Sequence, residues 1–230
     1  MKKIESIGLI TYHFPHLKTE QVIENLLPQY KNLKIYALPF EYRKEREVFF
    51  NHRPNQTIAV APEAIAKKHN IKYIICNSDL DIDDSCDIYI ILGAGILSKS
   101  CVENKKIINS HPGIIPISRG LDSFKWAIYE NKPLGITLHY IDKEVDAGEI
   151  ISIVPTTIYE SDSLETLSRR HYENEIKILS NFYYYIQNPI NNFKNLKDGE
   201  AKMRMKIETE VKMARMFDKY IEQFNTKGMY

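Results

Sequence analysis

The sequence predicts an α/β fold: a mostly parallel sheet flanked by helices, with a helical extension at the C-terminus. Two observations carry this expectation. Short, mostly apolar and β-branched runs occur at 4–12, 33–38, 72–76, 88–92 and 107–110. Runs of that kind suit strands buried on both faces. Between them lie segments with helical periodicity, and strands alternating with helices favour a parallel sheet.

The chain has 230 residues, within the range of one domain with an appendage. It is 43% hydrophobic and 27% charged, which excludes a disordered or fibrous class. Thirty-one basic against thirty acidic side chains leave +1, so a protein built to coat nucleic acid is not expected. Cys76, Cys86 and Cys101 are too few and too irregularly spaced for a disulfide framework or a zinc knuckle. No metal is expected. The apolar run after Met1-Lys2-Lys3 is broken by Glu5, unlike a secretory leader. No stretch reaches the roughly 18 apolar residues of a membrane span. A cytoplasmic protein with reduced thiols, and no membrane partner, is the expectation.

Taken in order, residues 4–12 form the first strand. Thr19 would cap a helix over 20–29, with Val22, Ile23, Leu26 and Leu27 on one face. Residues 33–38 follow as a strand. Residues 41–56, charged and aromatic without a clean period, form a loop. Pro62 opens a short helix ending at His69. Strands at 72–76, 88–92 and 107–110 come next, then a helix over 123–131. Two longer strands, 135–141 and 150–154, flank a loop that contains Asp146-Ala147-Gly148. Asp162 and Glu165 suggest a capping box that opens a helix ended by Pro189. This sets a main domain over 1–188 and a C-terminal appendage over 189–230. In that appendage, residues 190–206 are rich in Asn and Lys and read as an exposed linker. Met213, Phe217, Tyr220, Ile221 and Phe224 then recur at helical spacing. Their apolar face would pack on the main body or on a second copy of the chain, which leaves a homodimer open.

The stretch Asn109-Ser110-His111-Pro112-Gly113 follows a predicted strand. In open α/β sheets ligands bind outside the carboxyl ends of the strands. Strand alternation puts Asn109 and His111 on one side. An amide donor beside an imidazole suits a reaction at a carbonyl: the amide holds a developing oxyanion while the imidazole moves a proton. An Asn and a His that merely cap the turn before Pro112 are the structural alternative, and these residues alone leave both open. Asp146 shares a tight turn with Gly148, where Asp is common for turn reasons. As a partner of His111 it would orient the ring and raise its pKa by charge.

Residues 107–151 carry a longer pattern: Asn-x-His-Pro at 109–112, Pro116, Arg119-Gly120, Trp126-Ala127-Ile128, Gly135-x-Thr-x-His, Asp146-x-Gly and Ile150-Ile151. In order and spacing this resembles the formyltransferases that use 10-formyltetrahydrofolate: glycinamide ribonucleotide, methionyl-tRNA and sugar N-formyltransferases. LGAGIL at 92–97 looks like the family's folate-site loop. The likeness runs over roughly 72–186.

The resemblance implies a Rossmann-like formyltransferase fold and formyl transfer from 10-formyltetrahydrofolate to an amine. Asn109, His111 and Asp146 fall on the family's catalytic Asn, His and Asp. The pterin would be held mainly by backbone of two loops, here Gly95-Ile96-Leu97 and 141–146, including Ile141, Asp142 and Val145. His139 matches the family pattern, and a direct or a purely structural role is open.

This chain departs from the family in having Gly113 where Ser is common and Glu149 where Pro is common. Thr11-Tyr12-His13-Phe14-Pro15-His16 follows the first strand and lacks the Gly-rich phosphate cradle that glycinamide ribonucleotide enzymes use there. Methionyl-tRNA enzymes add a C-terminal β-barrel, whereas 44 residues without a strand pattern follow Ile186 here. Elimination leaves a small acceptor, a nucleotide-linked amino deoxysugar of the kind used for lipopolysaccharide or other surface polysaccharide. Arg43, Lys44, Arg46 and Arg53, near His13 and His16, would face its diphosphate; a solvated charged loop is the alternative. Tyr12, Phe14 and Tyr42 are candidates to stack on a base, with simple packing as the alternative. A glycinamide ribonucleotide-type enzyme and a non-catalytic binding module on the same fold are the other readings.

Overall fold

The computed structural model describes residues 4–41, 46–142, 148–190 and 198–225. The chain runs β1 (Ile7–Tyr12), α1 (Leu17–Leu26), β2 (Leu33–Leu38), α2 (Pro62–His69), β3 (Lys72–Ile75), β4 (Ile88–Ile91), α3 (Lys99–Val102), β5 (Ile107–His111), β6 (Arg119–Gly120) and α4 (Ser123–Tyr129). It continues with β7 (Gly135–Tyr140), β8 (Ile150–Pro155), α5 (Leu164–Ser180), α6 (Phe182–Gln187), β9 (Ala201–Lys202), α7 (Ile207–Arg215) and α8 (Phe217–Phe224). Seven strands form one sheet in the order β3-β2-β1-β4-β5-β7-β8. The pairs β1·β2, β1·β4, β2·β3 and β4·β5 are parallel. The chain thus winds outward from β1 to β3, then returns to lay β4 on the other side of β1. That reversal creates the crevice in which doubly wound sheets bind ligands.

The chain divides into two compact units. Unit one comprises Met1–Arg43, Asn55–Asn109 and His139–Glu149. Its inner strands β1, β2 and β4 are mostly apolar because both faces are covered: Ile7, Leu9, Ile10, Ile35, Tyr36, Tyr89 and Ile90 are all buried, whereas the edge strand β3 is partly exposed. The helix expected from Thr19 starts earlier, at Leu17, with His16 as its N-cap. Thr19 makes no cap. It is buried, bonding Thr11 Oγ1 at 2.6 Å and His16 Nδ1 at 3.0 Å. The first donors of α1 are met instead by Gln56: its carbonyl accepts from Leu17 N–H (2.8 Å) and its side chain from Lys18 N–H (3.2 Å). Cys76 and Cys101 are buried free thiols, and burial pushes both up from the usual thiol range.

Unit two comprises Lys44–Pro54, Ser110–Leu138 and Ile150–Tyr230. The expected capping box of Asp162 and Glu165 sits one residue later. Ser163 caps α5 and pairs reciprocally with Thr166. Asp162 is drawn away by Arg170, whose guanidinium donates two 2.6 Å hydrogen bonds to its carboxylate. The helix itself breaks at Asn181 into α5 and α6.

The described part of the expected linker is largely exposed, as expected, but it is tied down at a few points. β9 pairs with β6, Trp126 Nε1 donates to Met203 O, and Met205 is fully buried. Gly120 makes this possible: its φ is +85°, and a Cβ there would meet Lys202 O at 2.3 Å. Residues 191–197 lie outside the described residues. The expected single C-terminal helix is two, α7 and α8, turning at Met216. Met205, Met213, Phe217, Tyr220 and Ile221 join Phe124, Ala127, Ile128 and Leu167 in one core. The apolar face read from the sequence is therefore covered within its own chain.

An ion pair lies inside that core. Lys125 Nζ donates to Glu210 Oε1 at 2.7 Å, with both side chains essentially inaccessible. Glu210 Oε2 also accepts from the N–H groups of Phe49 and Phe50, at 2.8 and 3.1 Å. Removing Lys125 leaves buried Glu210 to the more distant Arg46, 3.6 Å away, and loss of one partner of such a pair costs up to about 3–5 kcal/mol. Lys125→Met is accordingly expected to lower the urea-unfolding free energy by about that amount. Adding Glu210→Gln should recover part of it, and a single variant of wild-type stability would show that the pair does not hold α7 in place.

Candidate active site

Within unit one, the carboxyl ends of β1, β4, β5 and β7 bring together most of the residues expected from sequence. Asn109 is on β5 and half-buried. Its Nδ2 lies 3.4 Å from Nε2 of His139, a buried residue of β7. His139 Nδ1 faces Tyr140 O at 3.0 Å. A carbonyl only accepts, so Nδ1 carries the proton and Nε2 of the neutral ring accepts from the Asn109 amide. His139 is thus placed against the Asn109 amide.

The loop after β4 and the segment after β7 rest on one cluster. Ala94, Leu97 and Ile141 pack on Ile10, Tyr36, Cys101 and Ile107. Ile141 N–H donates to Ile107 O at 2.9 Å. A Cβ built on Gly95 meets nothing within 4 Å, and Ile96 is 86% exposed. Asp142 is exposed. Val145 and Asp146, like Arg43, Lys44 and Tyr42, lie outside the described residues.

Tyr12 stands at the end of β1, edge-on to Phe40 (5.1 Å between centroids) and to His16 (5.9 Å). A Cβ on Gly93 would meet its ring at 2.9 Å, so a side chain there would displace Tyr12. Phe14 stacks on Phe40 at 4.5 Å and 8°. His13 is exposed, with Nδ1 2.6 Å from the Tyr73 hydroxyl.

Unit two holds the other half of the Asn-x-His-Pro stretch. His111 is buried, its Nε2 2.8 Å from Ser118 O and 3.1 Å from Ser123 Oγ. Pro112 O accepts from His171 Nε2–H at 3.2 Å, and Thr156 Oγ1–H donates to His171 Nδ1 at 2.8 Å. Ser110 Oγ donates to Glu175 Oε1 at 3.3 Å. His171 and Glu175, one turn apart on α5, therefore grip the backbone and side chains on either side of His111.

Arg53, expected to face a diphosphate, is hydrogen-bonded to buried Glu175 and lies over the Tyr172 ring. Arg46 pairs with Asp122 at 2.9 Å. Sequence reasoning missed His171, Glu175, Ser123 and Gln56. A signal existed for the first two: they are polar residues at i, i+4 on the same face of α5 as Leu167 and Ile178.

Burial holds His171 down at about 4, although the Pro112 carbonyl and Glu175 act the other way. His52, stacked on Phe124 at 7°, is likewise held well below the usual histidine range, by burial and by Arg53 and Lys125. A histidine whose folded pKa is depressed contributes stability that is complete above its unfolded value near 6.5. That stability is lost as pH falls from there through about 4, because the unfolded chain then binds the proton first. The expected cost of His171 alone is on the order of 3 kcal/mol. Urea midpoints at pH 7 and pH 4.5 test this, since the loss should shrink in His171→Gln; an equal loss in both proteins would place it elsewhere.

Residues 88–182 match the formyl transferase family. The chain is 41% identical over 73 residues to phosphoribosylglycinamide formyltransferase of Bacillus subtilis, covering 31% of this chain and 37% of that one. It spans 32–60% of the length of the first curated relatives it matches. In fold it is similar to a 4-N formyltransferase from Francisella tularensis, with TM-score 0.60 and 15% identity, covering 91% of this chain and 86% of that one. A sugar N-formyltransferase from a Shewanella species gives 0.57 at 17% identity, over 91% of this chain and 87% of that one. The sequence match to the formyl transferase family thus covers residues 88–182, and the fold is shared with solved formyltransferases over about nine-tenths of the chain.

Proposed function

We propose that this protein transfers the formyl group of 10-formyltetrahydrofolate to the amine of a nucleotide-linked amino deoxysugar. The observation that carries the reading is the Asn109 amide at the end of β5, tied to His139 at 3.4 Å and so aimed by the fold. An amide held this way donates its second N–H to an oxygen that becomes negative, at no reorganisation cost during reaction. The acceptor nitrogen bonds to the formyl carbon, and the oxyanion then collapses to break the bond to N10 of the folate. The proton lost by the amine ends on that N10. In this reading Asn109 and His111 stabilise the oxyanion, and Asp146 tunes His111 and accepts the amine's proton through water. Gly95, Ile96, Leu97, Ile141, Asp142 and Val145 would flank the pterin.

A feature of α1 supports the sugar acceptor. The resemblance implies that glycinamide ribonucleotide enzymes hold phosphate where a Gly-rich loop meets this helix. Here Gln56 already takes the Leu17 and Lys18 N–H groups. The second reading, a glycinamide ribonucleotide-type enzyme, is favoured by the 41% identity over 73 residues to the Bacillus subtilis protein.

No His, Cys, Asp or Glu group among the described residues is arranged to hold a metal. No helix among them is long and apolar enough to cross a membrane. A cytoplasmic location belongs to the same proposal. The test is a panel of nucleotide-linked amino sugars and glycinamide ribonucleotide, each incubated with 10-formyltetrahydrofolate and read by mass. A single formyl gain on an amino sugar is expected; gain on the ribonucleotide alone would replace the acceptor.

A further inference from the structure

We propose that Ser123 is a positioning residue for His111, fixing with the Ser118 carbonyl which ring nitrogen handles protons. The Ser118 carbonyl has no hydrogen to give, so Nε2, 2.8 Å away, must carry one. Ser123 Oγ donates to Gly120 O at 3.1 Å, which turns its lone pairs toward the same Nε2, also at 3.1 Å. The neutral ring is therefore the Nε2–H tautomer. Protons enter and leave His111 at Nδ1.

The surroundings of Ser123 make the arrangement rigid. Asp122, at φ +53°, starts α4 and sets the direction of the next side chain. Its carboxylate is pinned by Arg46 Nη2 at 2.9 Å and by Met205 N–H at 3.0 Å. The segment before α7 thus bears on the ring through Asp122 and Ser123. Gly113 completes the fit. A Cβ there would lie 2.7 Å from Ser118 O, 2.8 Å from His111 Nε2 and 2.9 Å from Ser123 Cβ. The Ser that the family commonly carries after His-Pro has no room in this packing, and a hydroxyl from α4 faces the ring instead.

The consequence for activity rests on the formyl-transfer reading, while the nitrogen assignment is independent of it. The whole protein, labelled with 15N in its histidines, is examined by long-range 1H–15N spectroscopy at about pH 9, above the free histidine value of about 6.5. His111→Ala assigns the resonances. A protonated Nε2 and a bare Nδ1 are expected. A protonated Nδ1 in the neutral ring would overturn the proposal.

In turnover, Ser123→Ala should lower kcat about tenfold, the value of one hydrogen bond, with KM for folate and amine unchanged. Ser123→Thr keeps the hydroxyl and should restore most of the rate. An alanine variant of full kcat overturns the positioning role, and so does a loss that threonine fails to repair. If the enzyme formylates no amine at all, the functional reading fails, and the spectrum still decides the nitrogen.

Discussion

Replacing His111 with alanine is expected to lower turnover by about 10²–10⁴, the range for a positioned acid–base group. The geometry sharpens this expectation. His111 is only 4% exposed, and its ring bonds Ser118 O and Ser123 Oγ. Removal therefore also leaves a buried carbonyl short of a donor, at roughly 1–3 kcal/mol of stability. A side chain lining an open cleft would have cost little. The two effects separate cleanly: the activity loss should exceed anything the fall in unfolding midpoint explains at assay temperature. His111→Gln, which keeps an amide N–H for Ser118 O, should regain stability without regaining rate. Near-normal turnover in either variant would remove His111 from the mechanism.

Asn109→Asp should be nearly as damaging, for two reasons that act together. Loss of one oxyanion donor raises the barrier by roughly 2.7–4 kcal/mol, about 10²–10³ in rate. The new carboxylate would also face the Nε2 lone pair of His139, because that ring's proton is committed to Tyr140 O. Either the two repel, or buried His139 takes a second proton to meet it. Asn109→Asp is therefore expected to be worse than Asn109→Ala, although it preserves shape. Equal rates for Asp and Asn at 109 would contradict the oxyanion role, and kcat at saturating folate measures it directly.

The strands and the Asn109 and His111 positions were legible because burial on both faces forces continuous apolar runs, and the stretch sits at the end of one of them. Register errors arose where a distant partner outbids a local one. Asp162 looked like a cap but binds Arg170, leaving the cap to Ser163. Thr19 looked like a cap but is held by Thr11 across to β1. The Asn- and Lys-rich stretch hid Met205, whose burial depends on the β6·β9 pairing and on Gly120. Arg53 read as a substrate ligand because Glu175, its partner, lies 122 residues away. Ser123 carried no signal at all: its meaning depends on a carbonyl and a ring that only folding brings together.

The central claim is amine-dependent consumption of 10-formyltetrahydrofolate. The direct measurement follows folate absorbance with purified protein, with and without a nucleotide-linked amino sugar, beside the His111→Ala variant. The account predicts folate turnover only when the amine is present, one formyl group gained per folate released, and a loss of at least about 10² in the variant. Formate release at the same rate without the amine would contradict it, as would folate turnover that His111→Ala leaves unchanged.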